Sequence, residues 1–253
     1  MREFVVQIGT DRGQMDTFVT HPETGNLFPV VFIFMDIWGI REELLNIARQ
    51  IGTVGYCCVL PDWYKAEGTA RMLQKSGSEE VALHQNGWSQ NELLERGRLL
   101  TDVTVVADTR AVVDQIQGRA PIRPGDMGAI GYCMGGRHVM CVASSVPRFA
   151  ASACIHGTQL VSDAEDSPHR KTGNLRGEFY CGFGERDSYT PPTVVKTLNE
   201  VFKPLKARFS FQVHEGADHG YALRDRPAYQ RPAALRDWEH VFAMFHRQIP
   251  PLH

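Results

Sequence analysis

A cysteine between glycines is the residue of this chain best suited to nucleophilic chemistry. Cys133 is the third residue of Gly-Tyr-Cys-Met-Gly-Gly, which follows the apolar segment Met127–Ile130 and precedes a predicted helix. This is the glycine-x-nucleophile-x-glycine pattern of a strand-to-helix elbow, where glycines let neighbouring backbone approach closely. The N–H groups that open the helix favour a thiolate, and the N–H of Met134 faces a developing oxyanion. The pattern predicts a nucleophile; the alternative is a buried cysteine in an ordinary glycine-rich turn.

A histidine and an acid that would serve this nucleophile follow later in the chain. His219 lies between glycines in Gly-Ala-Asp-His-Gly-Tyr, after the strand candidate Arg208–His214, in which His214 is expected on the exposed face. Asp187 lies in Gly-Glu-Arg-Asp, after the strand candidate Gly177–Cys181. Nucleophile, acid, histidine is the chain order of α/β-hydrolases. We therefore predict that His219 is the general base and that Asp187 orients its ring, with Glu185 as the alternative acid.

The elements that must position these residues alternate between apolar strands and amphipathic helices. This alternation predicts an α/β fold, a three-layer sandwich with a mostly parallel central sheet and helices on both faces, in one domain over residues 1–253. The polar stretch Lys65–Gln90 is unassigned and is a candidate lid. The predicted strands are Glu3–Ile8 and Met15–Thr20 (a hairpin), Val30–Phe34, Tyr56–Leu60, Met127–Tyr132, Ala151–Ile155, Gly177–Cys181 and Arg208–His214. The predicted helices are Arg41–Ile51, Glu92–Gln117 (weakest at Gly97), Gly135–Ser145, Pro191–Phe202 (capped by Thr190) and Arg231–Gln248.

Composition narrows the class of protein. A chain of 253 residues with 43% hydrophobic residues can bury one sizeable core, and its net charge of -2 gives no long-range field for nucleic acid or an anionic membrane. The alternating first residues predict no signal peptide. Six cysteines without a CxxC pair favour reduced thiols and argue against a disulfide scaffold or a metal site. The expected setting is the cytoplasm, and the expected partner is a small molecule.

These segments together resemble the dienelactone hydrolase family, the carboxymethylenebutenolidase-like cysteine α/β-hydrolases, over most of the chain. The motifs that carry the resemblance are Met-Asp-Ile-Trp-Gly (35–39), Pro-Asp-Trp-Tyr (61–64), Gly-Tyr-Cys-Met-Gly-Gly-Arg (131–137), Asp187, His-Gly-Tyr (219–221) and Arg-Asp-Arg-Pro-Ala-Tyr (224–229). The resemblance implies the α/β-hydrolase fold and hydrolysis of an ester or lactone without a cofactor. It also implies a Cys133, His219 and Asp187 triad, with the N–H groups of Ile37 and Met134 as the oxyanion hole.

One departure from the family pattern lies after the third strand. Typical members have a glutamate that accepts the thiol proton where this chain has Asp36, which is one methylene shorter. Either His219 alone activates Cys133, or Asp36 performs this step in altered form. A further interpretation is that Asp36 caps the helix that begins near Arg41.

A second departure concerns the substrate. Family enzymes bind a substrate carboxylate with an arginine shortly after the catalytic histidine, whereas Arg224 is one position out of register. Trp38, Tyr64, His156 and Tyr221 fall beside the motifs and are candidates for lining an aromatic pocket, although core packing explains each equally well.

Acyl transfer to water is the reaction that this reading predicts, with enol-lactones favoured over alkyl esters because the released oxygen departs as a stabilised enolate. A general carboxylesterase or thioesterase, and a non-catalytic ligand-binding or thiol-sensing homologue, are the alternatives. A monomer is favoured.

Overall fold

The computed structural model describes residues 1–25, 27–65 and 90–251, and they fall into two compact units. The first unit contains residues 1–125 and the chain end from Pro251, and the second contains residues 126–250. The candidate lid lies, apart from its two end residues, outside the described residues, and the single domain stays a prediction. No helix in the described ranges has the length and apolar character needed to cross a membrane.

The first unit begins with the predicted hairpin. Strand β1 (Arg2–Thr10) pairs antiparallel with β2 (Gly13–His21), which pairs antiparallel with β4 (Cys57–Pro61). Strand β3 (Val30–Phe34) runs parallel to β4. Every residue of β3 and β4 is buried, as their continuous apolar sequences require. Helix α1 (Glu42–Thr53) buries its apolar stripe of leucine, isoleucine and alanine, so the predicted hairpin, strands and first helix are confirmed.

The prediction of one long helix over Glu92–Gln117 is wrong. The segment forms α2 (Gln90–Leu99) and α3 (Asp102–Ile116), separated at Leu100 and Thr101. Thr101 is extended, and its hydroxyl accepts the N–H of Thr104 at 3.3 Å. A threonine side chain that replaces a helical backbone acceptor starts a new helix, which explains why the break lies there.

The second unit is built on four parallel strands, β5 (Met127–Tyr132), β6 (Phe149–Ile155), β7 (Glu178–Gly184) and β8 (Phe209–His214). Its helices are α4 (Met134–Ser145), α5 (Pro192–Phe202) and α6 (Arg231–Gln248), with 3-10 turns over Pro168–Asn174 and Lys203–Arg208. Helix α4 packs on β5 and β6, and α6 packs on β6 and β7. The carboxyl ends of parallel strands share one edge, so the loops after β5, β6, β7 and β8 lie together there.

Two local predictions in the second unit are wrong. Thr190 does not cap α5, because Pro191 occupies the N-cap position without a side-chain cap. His214, predicted on the exposed face of its strand, is only 7% exposed. Its ring nitrogen Nε2 lies 2.7 Å from a carboxylate oxygen of Asp237, a partner on α6 that strand alternation alone does not reveal.

Candidate active site

Cys133 lies in a sharp turn between the end of strand β5 and the start of helix α4. Cys133 has φ 54 and ψ -119, a left-handed conformation that a non-glycine residue adopts only when its surroundings enforce it. A Cβ at Gly131 would overlap the carbonyl oxygen of Gly135, so the first glycine of the motif is required by close backbone contact. The Cys133 side chain is neither fully buried nor fully exposed. Met134 is the first helical residue, where N–H groups have no acceptor within the helix.

Asp187 and His219 are joined by a hydrogen bond. Oδ2 of Asp187 lies 2.8 Å from Nδ1 of His219, and its Oδ1 accepts the N–H of Tyr189 at 2.9 Å. The Asp187 side chain has no exposed surface. Glu185, the alternative acid, has a different partner, because its exposed carboxylate accepts the N–H of Gly216 at 2.8 Å. The loop after β7 therefore presents Asp187 to the histidine.

The environment of His219 favours its protonated form. Burial by itself lowers the pKa of His219, but hydrogen bonds to Asp187 and to the Cys133 thiol outweigh burial and raise this pKa to about 10. The imidazole thus has the carboxylate on one side and the sulfur on the other.

His156 connects the elbow with the histidine loop. It follows β6, is fully buried and has φ 38. Its Nδ1 lies 3.1 Å from the backbone nitrogen of Cys133, which also donates to the carbonyl of Ile155 at 3.1 Å. The rings of His156 and His219 meet edge to face with centroids 5.0 Å apart. Predicted as a pocket residue, His156 contacts the backbone of Cys133 and the ring of His219 from within the core.

Asp36 forms a buried ion pair in the first unit. Arg41 donates to Oδ1 of Asp36 at 2.6 Å and to Oδ2 at 3.0 Å, and the N–H of Trp38 donates to Oδ1 at 3.1 Å. The interpretation of Asp36 as the helix cap is wrong, because Arg41 itself holds the N-cap position of α1. The hydroxyl of Tyr64 donates to the carbonyl of Ile37 at 2.9 Å and so fixes the same loop.

The remaining predicted substrate residues differ in exposure. Arg224 is exposed, whereas Tyr221 is fully buried and its hydroxyl donates to Asp237 at 2.7 Å. Asp237, like Arg41, is a partner that sequence reasoning missed. The only sequence signal for either is a charged residue on a predicted helix. As substrate contacts, Trp38, Tyr64, His156, Tyr221 and Arg224 stay predictions.

All six cysteines are free thiols, and five of them are buried. Burial raises the pKa of Cys57, Cys58 and Cys181, which makes them poor nucleophiles. Cys133 is the cysteine that is partly exposed. Across the described residues, no group of three or more histidine, cysteine, aspartate or glutamate side chains is arranged to hold a metal ion.

Known proteins of similar sequence and structure share this architecture. The dienelactone hydrolase family matches residues 15–249. A candidate carboxymethylenebutenolidase from Synechocystis is 24% identical over 97% of this chain and 96% of its own. A probable 2-oxo-3-(5-oxofuran-2-ylidene)propanoate lactonase from Bradyrhizobium is 20% identical over 93% and 90%. The crystal structure of a candidate dienelactone hydrolase from Klebsiella pneumoniae superposes with a TM-score of 0.81 at 20% identity, covering 97% and 98%.

The predicted α/β-hydrolase fold is thereby confirmed, and the class is a hydrolase of carboxylic esters or lactones. More narrowly, this chain belongs to the dienelactone hydrolase family. The resemblance read from the sequence motifs is confirmed.

Proposed function

We propose that Cys133, His219 and Asp187 form a catalytic triad that hydrolyses an ester or lactone through a thioester. The observation that carries this proposal is the position of the His219 ring, which hydrogen-bonds the Asp187 carboxylate and lies near enough to Cys133 for that residue to raise its pKa. A nucleophile, a base and a residue that orients the base are the parts that covalent acyl transfer needs.

The reaction runs in two halves. The Cys133 thiolate attacks the carbonyl carbon, a carbon–sulfur bond forms, and the N–H group of Met134 holds the tetrahedral oxyanion. The carbon–oxygen bond then breaks while His219 gives its proton to the leaving oxygen. In the second half, His219 takes a proton from water as the water oxygen attacks the thioester. Collapse expels the thiolate, releases the acid and restores the pair of thiolate and imidazolium.

Enol-lactones are the proposed substrate class. When a lactone opens, its leaving oxygen stays tethered to the acyl-enzyme, so re-closure competes with attack by water. An enol oxygen leaves more readily because its developing negative charge is delocalised, and once His219 has protonated it, the enol is a poorer nucleophile than an alkyl alcohol, which favours hydrolysis. The 5-oxofuran-2-ylidene group in the Bradyrhizobium relative's name is an enol-lactone of this kind, which supports the proposal.

Activation of the thiol is assigned to His219 rather than to Asp36. Both oxygens of Asp36 already accept hydrogen bonds, from Arg41 and from the N–H of Trp38. A proton acceptor would have to give up part of this ion pair. His219 needs no such rearrangement, because Cys133 already contributes to the raised pKa of its ring.

Recognition of the substrate is assigned to residues near the motifs. Arg224 is exposed, and its guanidinium suits a substrate carboxylate. Replacing Arg224 by alanine should raise KM for a lactone that carries a carboxylate and leave KM for a neutral ester unchanged. We also infer a cytoplasmic protein, because all six thiols are free.

Hydrolysis by variants of the nucleophile and the base tests the triad. Cys133→Ala and His219→Ala should abolish turnover of an enol-lactone and of p-nitrophenyl esters. The control Cys141→Ala changes a buried thiol on α4 and should retain turnover. Comparison of an enol-lactone with its saturated analogue and with an acyl thioester tests the substrate class.

Three results would contradict the proposal in whole or in part. Turnover by Cys133→Ala equal to the wild-type value would exclude the thioester route. An inert wild-type protein that binds lactones as well as Cys133→Ala does would favour a non-catalytic homologue. Equal rates on the saturated and enol-lactones would exclude the enolate argument alone.

A further inference from the structure

A buried carboxylate on α6 accepts hydrogen bonds from three side chains on other elements. Oδ1 of Asp237 accepts the hydroxyl of Tyr180 at 2.6 Å and lies 2.7 Å from Nε2 of His214, while Oδ2 accepts the hydroxyl of Tyr221 at 2.7 Å. Asp237 is 3% exposed. We call these four residues the Asp237 cluster. A buried charge is costly unless it is well paired, and this one has a donor from β7, one from β8 and one from the loop after β8.

The cluster keeps its donors over a wide pH range. Burial first, and then the neighbouring Asp237 carboxylate, raise the pKa of both Tyr180 and Tyr221 above the usual value of a phenol. Both hydroxyls therefore stay protonated and donate to Asp237. The backbone of β7 lies close to this hydrogen bond. A Cβ at Gly182 would be 2.5 Å from the Tyr221 oxygen and 2.6 Å from Oδ1 of Asp237.

Tyr221 belongs to the same tight turn as His219. Gly220, between them, has φ 87, which favours glycine and reverses the chain. The N–H of Tyr221 donates to the carbonyl of Asp218 at 3.2 Å, and its carbonyl accepts the N–H of Gln230 at 2.9 Å. The orientation of the Tyr221 ring is thus tied by a short stretch of backbone to the position of the histidine.

The Tyr221 ring also reaches the site through a second route. It meets the His156 ring edge to face, with centroids 5.6 Å apart. His156 in turn meets the His219 ring at 5.0 Å and places Nδ1 3.1 Å from the backbone nitrogen of Cys133. A displaced Tyr221 ring would therefore disturb the supports of both His219 and the elbow.

We propose that the bond between Tyr221 and Asp237 is a positioning device, which aligns His219 with Cys133 through the shared turn and the His156 ring. This inference rests on the proposed triad. Tyr221 then acts through His219 and is a positioning residue rather than the substrate contact predicted from the sequence. Small errors in the alignment of a base and a nucleophile are costly in rate while substrate affinity is kept.

Tyr180 offers a matched control. It donates to the same carboxylate from β7, at 2.6 Å, and its ring stacks on His240 with centroids 5.0 Å apart. Tyr180→Phe and Tyr221→Phe each remove one buried hydroxyl from Asp237. If the Asp237 cluster only stabilised the fold, the two variants would have the same kcat and the same rate of Cys133 alkylation.

The experiment measures three quantities for both variants: urea stability, kcat and KM on a p-nitrophenyl ester, and the rate of Cys133 alkylation by iodoacetamide against pH. We expect similar losses of stability. Tyr221→Phe should lower kcat by about 5- to 20-fold with KM unchanged and slow Cys133 alkylation at neutral pH. Tyr180→Phe should keep kcat and the alkylation profile within about two-fold of wild type.

Equal effects of the two variants, or an unchanged kcat in Tyr221→Phe, would overturn the inference. Cys133→Ala separates this failure from failure of the triad. If Cys133→Ala is inert while the tyrosine variants are alike, the triad stands and only the positioning role is lost. If Cys133→Ala still turns over ester, both fall.

Discussion

Replacing Asp187 by asparagine removes a negative charge from the His219 ring while keeping the size of the side chain. The lost interaction is the 2.8 Å hydrogen bond between Oδ2 and Nδ1. The oxygen of an amide in that place can accept a hydrogen bond from the ring, but the amide carries no charge. It therefore stabilises the imidazolium less than a carboxylate does. The change should therefore weaken the pair of Cys133 thiolate and His219 imidazolium.

The magnitude follows from the His219 environment. Its pKa of about 10 stands above the ordinary value of 6.5, with burial opposing the increase. At about 1.36 kcal/mol per pKa unit, the folded site favours the imidazolium by about 5 kcal/mol, an order-of-magnitude figure shared by Asp187 and Cys133. A charge-assisted hydrogen bond contributes about 1.5–3 kcal/mol of this. In Asp187→Asn the pKa of His219 should fall by about one to two, which corresponds to an equilibrium constant for the ion pair that is about 10- to 100-fold smaller.

Iodoacetamide labelling with mass mapping of Cys133 measures this directly, because the thiolate is the species that reacts. At about pH 7, Asp187→Asn should be alkylated more slowly than wild type, by at most about 10- to 100-fold, and kcat/KM should fall by about 10²- to 10⁴-fold. Glu185→Gln is the matched control, since it neutralises an exposed acid of the same loop that bonds the N–H of Gly216. It should behave as wild type.

Two outcomes would refute the reasoning. If Glu185→Gln slowed alkylation and Asp187→Asn did not, the orienting acid would be Glu185. If neither variant changed the rate, no carboxylate of this loop would stabilise the imidazolium, and the raised pKa of His219 would have another origin.

Three further predictions concern stability. Arg41→Ala should cost about 3–5 kcal/mol in urea unfolding, because it leaves the buried Asp36 carboxylate without its ion pair; a loss below about 1 kcal/mol would show that the pair is dispensable. Gly131→Ala should disrupt the elbow and abolish turnover, whereas Gly173→Ala, with open space around its Cβ position, should stay within about 0.5 kcal/mol of wild type. His219 has a higher pKa in the fold than in the unfolded chain, so the stability it contributes is complete below pH 6.5 and is lost as pH rises through about 10. Chemical denaturation of wild type and His219→Gln near pH 6.5 and near pH 10 measures the free energy of unfolding of each protein. The difference between the two free energies should become smaller as the pH rises.

Features with a local physical cause could be predicted from the sequence. The elbow depends on glycines at fixed spacing, and its strand and helix were placed to within a residue. Asp187 and His219 follow strands that the alternating pattern also revealed. The break before α3 was missed, because apolar periodicity continues through Thr101 and its capping bond is invisible in that pattern.

Partners from distant segments could not be predicted, for a different reason. Strand alternation predicts His214 on the exposed face, because this pattern takes into account only the neighbours of a residue in the sequence. Its burial depends on Asp237, which lies 23 residues away on α6. The same carboxylate collects hydroxyls from Tyr180 and Tyr221, 57 and 16 residues distant. Because no spacing rule links these positions, the polar support of the candidate site emerges only once β7, β8 and α6 have packed. A search for motifs alone therefore finds the reacting groups of such a hydrolase and overlooks the residues that keep these groups aligned with one another.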